Sequence, residues 1–423
     1  MDYIIKSAHV IDPKNNIDDV LDVLIEKKFI TKIDKNINSS SAKEIDANGL
    51  YLFPGLVDLH AHFRDPGFEY KETIESGAKA AFHGGFVGCV SMANTQPVCD
   101  NPSVVETILK KAQHINFSIF PCGTVTKGGE GSELSEMADL RAAGCLAVSD
   151  DGNSVADILV QRRALEYASM LGLLIMIHAE DKQLSKNGLI NEGLVSTRLG
   201  LRGIPNAAED VMVARDIELV KLTGAPIHFQ HVSTRRAVEL IGEAKKAGLP
   251  VTAEATPHHC TLIDEDIVTY NTNFKINPPL RSIDDRDAIV RGLEMNIIDA
   301  IATDHAPHQD VEKDIEFDKA LFGTTGLETA LAVILTYFYH KNILSLQDIV
   351  KKMSLNPQSI LGLSDFAEVK KDIEANLVLV DINKEWTVEK KSFVSKSKNS
   401  CFLGKKLKGK VAATICKGIL HLF

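Results

Sequence analysis

GLVDLHAHFRDPG, residues 55–67, begins as an apolar strand and ends as a polar loop. His60 and His62 close the apolar run, and Arg64 follows two places on. Residues two apart on a strand point to the same face, so both imidazoles can address one ion. Alone, such a pair reads first as strand-end packing. The rest of the chain changes that reading.

Seven further apolar segments follow: GFVGCVSMAN, FSIFPCG, GCLAVSDD, LLIMIHAE, PIHFQHVS, PVTAEATP and DAIATDHAP, ending near residues 92, 122, 149, 178, 231, 255 and 304. Between them lie helix-like stretches such as KETIESGAKAAFHG, NPSVVETILKKAQH and STRRAVELIGEAKKAG, several stopped by Gly. Eight strand–helix units predict an α/β fold, a closed (β/α)8 TIM-like barrel. An open doubly wound sheet is the alternative, but no Gly-rich phosphate loop follows the first strand. The connections 179–206 and 305–326 are long enough to be expected active-site loops.

Both ends have a different texture. YIIKSAHVI stops at Asp12-Pro13, DVLIEKKFITKI reads as a hairpin, and EIDANGLYLFPG carries an Asn48-Gly49 turn. ANLVLVDI and GKVAATICKGILHLF repeat that pattern near the C-terminus. The expected division is a discontinuous small β-sandwich domain, 1–53 with 357–423, around a barrel domain, 54–356.

The chain has 423 residues, 44% hydrophobic and 25% charged, enough for a large core. Its formal net charge of −10 offers no general attraction to nucleic acid or anionic lipid, so an anionic substrate needs locally placed cations. The N-terminus does not read as a secretory signal, and no apolar run reaches membrane-spanning length. Seven scattered cysteines without CxxC spacing argue against disulfides and thiolate metal sites, and predict buried apolar residues in a reducing cytoplasm.

Metal-capable residues end five of the eight strands: His60 and His62, Asp150 and Asp151, His178, His231, and Asp304. Each has an ordinary reading as a packing or turn residue. Together they fall on one predicted rim, the C-terminal face where barrel active sites are built. Imidazole plus carboxylate without thiolate suits Zn²⁺ or a similar ion in an open, catalytic site. Other histidines read differently. His258 and His259 are expected to be structural or to support the site from behind. His83, His114, His340 and His421 read as solvated or packing residues, and His228 as a satisfied core histidine. RSIDDRD reads as a polar helix start, with a mobile substrate loop as its alternative.

DLHAHFRDPG, MANTQP, DDG, HAED, HVST, EATPHH, FKINPPLRS, ATDHAPH and FGTTGLET together resemble bacterial dihydroorotases of the DDG type, within the amidohydrolase superfamily. The resemblance runs over nearly the whole chain. It implies a metal-dependent hydrolase that interconverts N-carbamoyl-L-aspartate and L-dihydroorotate in pyrimidine synthesis. It places His60 and His62 on a first zinc, His178 and His231 on a second, and a fourth-strand carboxylate between them. That carboxylate is Asp151, with Asp150 as the fallback; many relatives use a carboxylated lysine there. Asp304 becomes a ligand of the first metal and the general base. His62, Arg64, Asn94 and His308 become substrate contacts, with Asn277 nearby and Phe322–Gly323 on a loop over the substrate. MANT and FRDPG stand where MPNT and FREPG are usual. The resemblance also makes a homodimer and an aspartate transcarbamoylase partner candidates. Competing expectations are another cyclic-amide hydrolase (allantoinase, or dihydropyrimidinase/hydantoinase) and a non-catalytic subunit that scaffolds aspartate transcarbamoylase.

Overall fold

Eight parallel strands run in sequence order through the middle of the chain in the computed structural model, which describes residues 2–423. They are Leu56–Ala61, Phe86–Ser91, Ser118–Gly123, Ala147–Val148, Leu174–Ile177, Ile227–Phe229, Val251–Ala255 and Ala300–Ile301. A parallel bridge from Ala61 to His305 brings the two edges together, with the His62 N–H donating to the His305 carbonyl at 2.8 Å. The sheet therefore closes into a barrel, and no open edge is left to pair with another chain.

Two apolar clusters explain why these strands are continuously hydrophobic. Val57, Leu59, Val90, Ala147, Met176 and Ala300, drawn from five of the strands, pack together with Met92 in the lumen. The alternate positions, including Leu56, Phe86, Cys89, Ile119, Val148 and Ile175, pack outward on the helices. A strand buried on both faces has no polar alternation, as expected for a parallel barrel. The helices carry their own punctuation: Thr73 caps Ile74–Gly84, which stops at Gly85 with φ 87°.

Both termini build the small β-sandwich domain. Tyr51–Pro54 pairs antiparallel with Leu377–Thr387, which stitches the N-terminal strands to the C-terminal ones. Its core, including Tyr3, Ile5, Val10, Val23, Leu377 and Ile415, is separate from the barrel's. The expected hairpin is Ile17–Glu26 and Phe29–Asp34, turning on Lys27 and Lys28 at φ 52° and 79°. One stretch leaves this sheet. Residues 388–404 cross to the barrel, where Val388, Phe393, Cys401 and Phe402 pack against Leu262, Leu280 and Val333. That crossing brings Asn399 to the rim, where its side chain donates to the carbonyls of Ala306 and Gly323, each at 3.1 Å.

Among the described residues no helix is long and apolar enough to cross a membrane. All seven cysteines are free and buried.

Candidate metal centre and substrate cleft

Above the apolar lumen the strands end in polar side chains that meet each other. His60 Nε2 lies 3.5 Å and His62 Nε2 3.4 Å from the Asp151 carboxylate. From the other side, His178 Nδ1 and His231 Nε2 lie 3.5 and 3.6 Å from the same carboxylate. Asp304 Oδ1 stands 3.2 Å from His62 Nε2 and 3.6 Å from His60 Nε2. Two groups able to hold a cation, His60–His62–Asp151 and Asp151–His178–His231, thus share one aspartate. Asp150 turns the other way, accepting from the Val125 and Thr126 N–H groups and the Thr126 hydroxyl.

The far nitrogen of each of three rings is tied down. His60 Nδ1 is 3.1 Å from Glu254 Oε1, His62 Nδ1 2.9 Å from Asn94 Oδ1, and His178 Nε2 2.7 Å from Glu180 Oε2. Such outer partners fix tautomer and ring orientation, leaving the inner nitrogens to face the centre. His60 Nε2 is fully buried without a hydrogen-bond partner. A buried imidazole nitrogen left so is costly unless a further group binds it. The donor set contains only imidazole and carboxylate, so the residues fit a borderline divalent cation.

Electrostatics support the same arrangement. Burial raises the Asp151 carboxyl, but the imidazoles of His60, His178 and His231 outweigh it and hold it well below the usual carboxylate range. Asp304 is likewise held low against its burial, by His60 and His62. Burial disfavours a charged His178, yet Asp151 and Glu180 lift it to about 9. Both aspartates therefore remain ionised at neutral pH. The backbone is strained at this rim: Arg64, His231 and Asp304 have φ of 60°, 32° and 46°. Left-handed non-glycine residues cost about 1–3 kcal/mol each and persist only where surrounding contacts fix them.

A single cleft is lined by every expected site residue except His60, which lies beneath it. Arg64 reaches in with its Nε 3.4 Å from the Pro307 carbonyl, and no carboxylate pairs with it among the described residues. His308 stands beside it, 3.4 Å from Arg64 Nη2. Phe322 and Gly323 form part of the wall. Asn94 differs from expectation: its amide spans His62 and, at 3.3 Å, Asp151, so it holds the cluster as well as facing the cleft. Asn277 donates to Glu180 at 3.0 Å.

The remaining histidines divide as their sequence context suggests. His228 is satisfied in the core by Thr252 and Glu254, at 2.8 and 3.1 Å. His421 stacks on Phe82 and His83 packs on Phe423. His258 and His259 are buried, and His259 is fixed by Thr256 and the Pro278 carbonyl. RSIDDRD is a helix start: Ser282 caps Ile283–Glu294, and Arg281 runs inward to the Ile204 carbonyl and Asn191.

Glu254 was not singled out by the sequence reading. Its signal was there, a lone acid in an apolar strand. Fully buried, it is pushed up by burial but drawn down to about 2 by His228 and His60. Glu254→Gln keeps the volume and removes the charge that orients His60. We expect ~10–100-fold weaker metal retention in a chelator competition, with the circular dichroism spectrum unchanged. Unaltered retention would show that His60 is oriented without it.

A family model described as dihydro-orotase-like matches residues 49–237. A dihydroorotase of Acetivibrio thermocellus is 47% identical over 416 residues, covering 98% of this chain and 97% of that protein. One of Trichlorobacter lovleyi is 46% identical, covering 99% and 98%. Among solved structures, an L-hydantoinase (dihydropyrimidinase) from Arthrobacter aurescens superposes with a TM-score of 0.88 at 22% identity, covering 100% of this chain and 97% of that one. A dihydropyrimidinase from Brevibacillus agri gives 0.84 at 21% identity, covering 100% and 95%. These two likenesses establish the fold.

Proposed function

The chain belongs to the dihydroorotase family of the amidohydrolase superfamily, and from that premise we propose that it interconverts L-dihydroorotate and N-carbamoyl-L-aspartate. We place the reaction in the cytoplasm, in keeping with seven unpaired cysteines. The observation that carries the reading is a half-buried guanidinium, Arg64, that pairs with no carboxylate among the described residues and opens into the same cleft as the Asp151-centred imidazoles.

His60, His62, Asp151 and Asp304 would hold one divalent ion and Asp151, His178 and His231 a second, both zinc in our reading. When bound, such a pair supplies Lewis-acid chemistry, a water activated near neutral pH and a polarised amide carbonyl. The protein's own groups do the rest. Arg64 grips the substrate carboxylate in two parallel charge-assisted bonds, which a lysine cannot match. That grip sets the ring amide over the rim. Asp304, ionised and fixed beside His62, takes the proton of the attacking water and delivers it to the departing ring nitrogen. In ring closure it accepts the proton of the ureido nitrogen instead. His308 and the Phe322–Gly323 wall complete the carboxylate's surroundings and limit water in the cleft.

A hydantoinase or allantoinase reading leaves Arg64 without a ligand, because those ring substrates carry no carboxylate. A purely scaffolding role leaves the buried donor set unexplained. The test is turnover by the zinc-loaded protein of dihydroorotate, hydantoin and allantoin side by side. Dihydroorotate is expected to be the preferred substrate. Faster turnover of either other ring would overturn the assignment.

A further inference from the structure

Past the last barrel strand two backbone segments, 305–308 and 322–325, run side by side as one wall of the cleft. They pair at their base, where His305 and Thr324 form a parallel bridge and the Ala306 N–H donates to the Thr324 carbonyl at 2.8 Å. Farther along, Asn399 joins them from the segment that crosses over from the small domain. Its Oδ1 accepts from the His308 main-chain N–H at 2.9 Å, and its Nδ2 donates to the carbonyls of Ala306 and Gly323, each at 3.1 Å. Only this orientation of the amide works, since the reverse sets N–H against N–H and oxygen against two carbonyls. The Asn399 carbonyl accepts in turn from the Thr325 N–H at 3.0 Å and the Thr324 hydroxyl at 3.1 Å. Asn399 is 2% exposed, so water cannot replace these bonds.

Ala306, His308 and Gly323 all line the cleft, and none belongs to the Asp151-centred cluster. Two of them bracket Pro307, whose carbonyl lies 3.4 Å from Arg64 Nε. The seat of the guanidinium is therefore held on both sides by one amide. The wall has little slack. Gly323 has φ 138°, and a Cβ there would stand 2.8 Å from Ala306 Cβ and 3.1 Å from His308 Cδ2. Its carbonyl also accepts from the buried Lys313 ammonium at 3.0 Å.

We propose that Asn399 is a positioning residue for substrate recognition: it clamps Ala306 and His308 on either side of Pro307, ties them to Gly323, and so keeps Arg64 aimed at the substrate carboxylate. The proposal rests on the dihydroorotase reading above and makes the small domain's crossing segment part of the substrate grip.

The test uses the zinc-loaded, full-length protein. Asn399→Asp keeps the shape and the acceptor for His308, and turns two donations into repulsions. It is expected to raise KM for dihydroorotate about ten-fold, with kcat within about two-fold and bound metal unchanged. Binding lost equally from ground and transition states appears in KM alone, on the scale of one hydrogen bond to a charged group. Asn399→Ser adds no charge and is expected to raise KM about three-fold, which carries the test should the aspartate variant not fold. In an Arg64→Met background, Asn399→Asp is expected to lower kcat/KM by less than about two-fold, because the group it aims is gone. Hydrogen exchange supplies a readout independent of activity: amides of 305–309 and 321–325 are expected to exchange faster in either variant, with the other barrel strands protected as in the wild type. Unchanged KM, parallel loss of metal and kcat, or a full ten-fold effect persisting in Arg64→Met overturns the proposal. A wild type inert on dihydroorotate, with exchange quickened at this wall, would sink the functional assignment and leave the clamp standing. Unchanged exchange in an inert protein would sink both.

Discussion

Asp304→Asn is expected to lower kcat by about a thousand-fold in both directions, within the 10²–10⁴-fold range of positioned acid–base catalysis. Asparagine keeps the shape of the side chain and cannot take a proton from water. Because the same carboxylate is proposed to serve hydrolysis and ring closure, the two directions must fall together. The effect is large because the group is prepared for the task. The neighbouring imidazoles hold Asp304 ionised despite its burial, and its left-handed backbone fixes its approach to the rim. Asp304 also stands against His60 and His62, so the variant should be assayed with metal in excess. Stopped-flow and steady-state rates in each direction provide the check. A variant within ten-fold of the wild type in either direction would remove Asp304 from the proton transfer.

Arg64→Met is expected to reduce kcat/KM for dihydroorotate by ~10²–10³-fold while bound metal stays at the wild-type level. Losing a buried partner of a charged pair costs about 2–5 kcal/mol, which sets that range. Methionine fills the apolar part of the site and lacks the donors. Arg64 contacts the Pro307 carbonyl and His308, not the imidazole cluster, so the metal-holding residues should be undisturbed. Metal analysis and kinetics on one preparation separate the two effects. Parallel loss of metal and activity would mean that Arg64 acts on the centre's structure instead of on the substrate.

The barrel was legible because every strand stood out as an apolar run and five of the eight ended in a metal-capable residue. The metal-capable rim was legible for the same reason. His60, His62, Asp151, His178, His231 and Asp304 stand at strand ends, and a closed barrel brings strand ends together. Strand length was less readable. GCLAVSDD and DAIATDHAP yield only Ala147–Val148 and Ala300–Ile301, since an apolar run does not specify where ladder pairing stops. Orientation within a pair was harder still. Adjacent Asp150 and Asp151 differ only in which way the chain turns, and the Thr126 loop decides it. Partners brought from afar left the weakest trace. Glu254 reaches His60 across 194 positions and Asn399 reaches Ala306 across 93, and no local periodicity encodes either contact.

Both proposed cation sites depend on Asp151 lying between them at one mouth of the barrel. Anomalous diffraction from crystals of the zinc-loaded protein, recorded on both sides of the zinc edge, tests this most directly. The expected map has two peaks flanking the Asp151 carboxylate, one toward His60 and His62 and the other toward His178 and His231. A map with zinc absent from this cluster, or bound only elsewhere on the molecule, would contradict it.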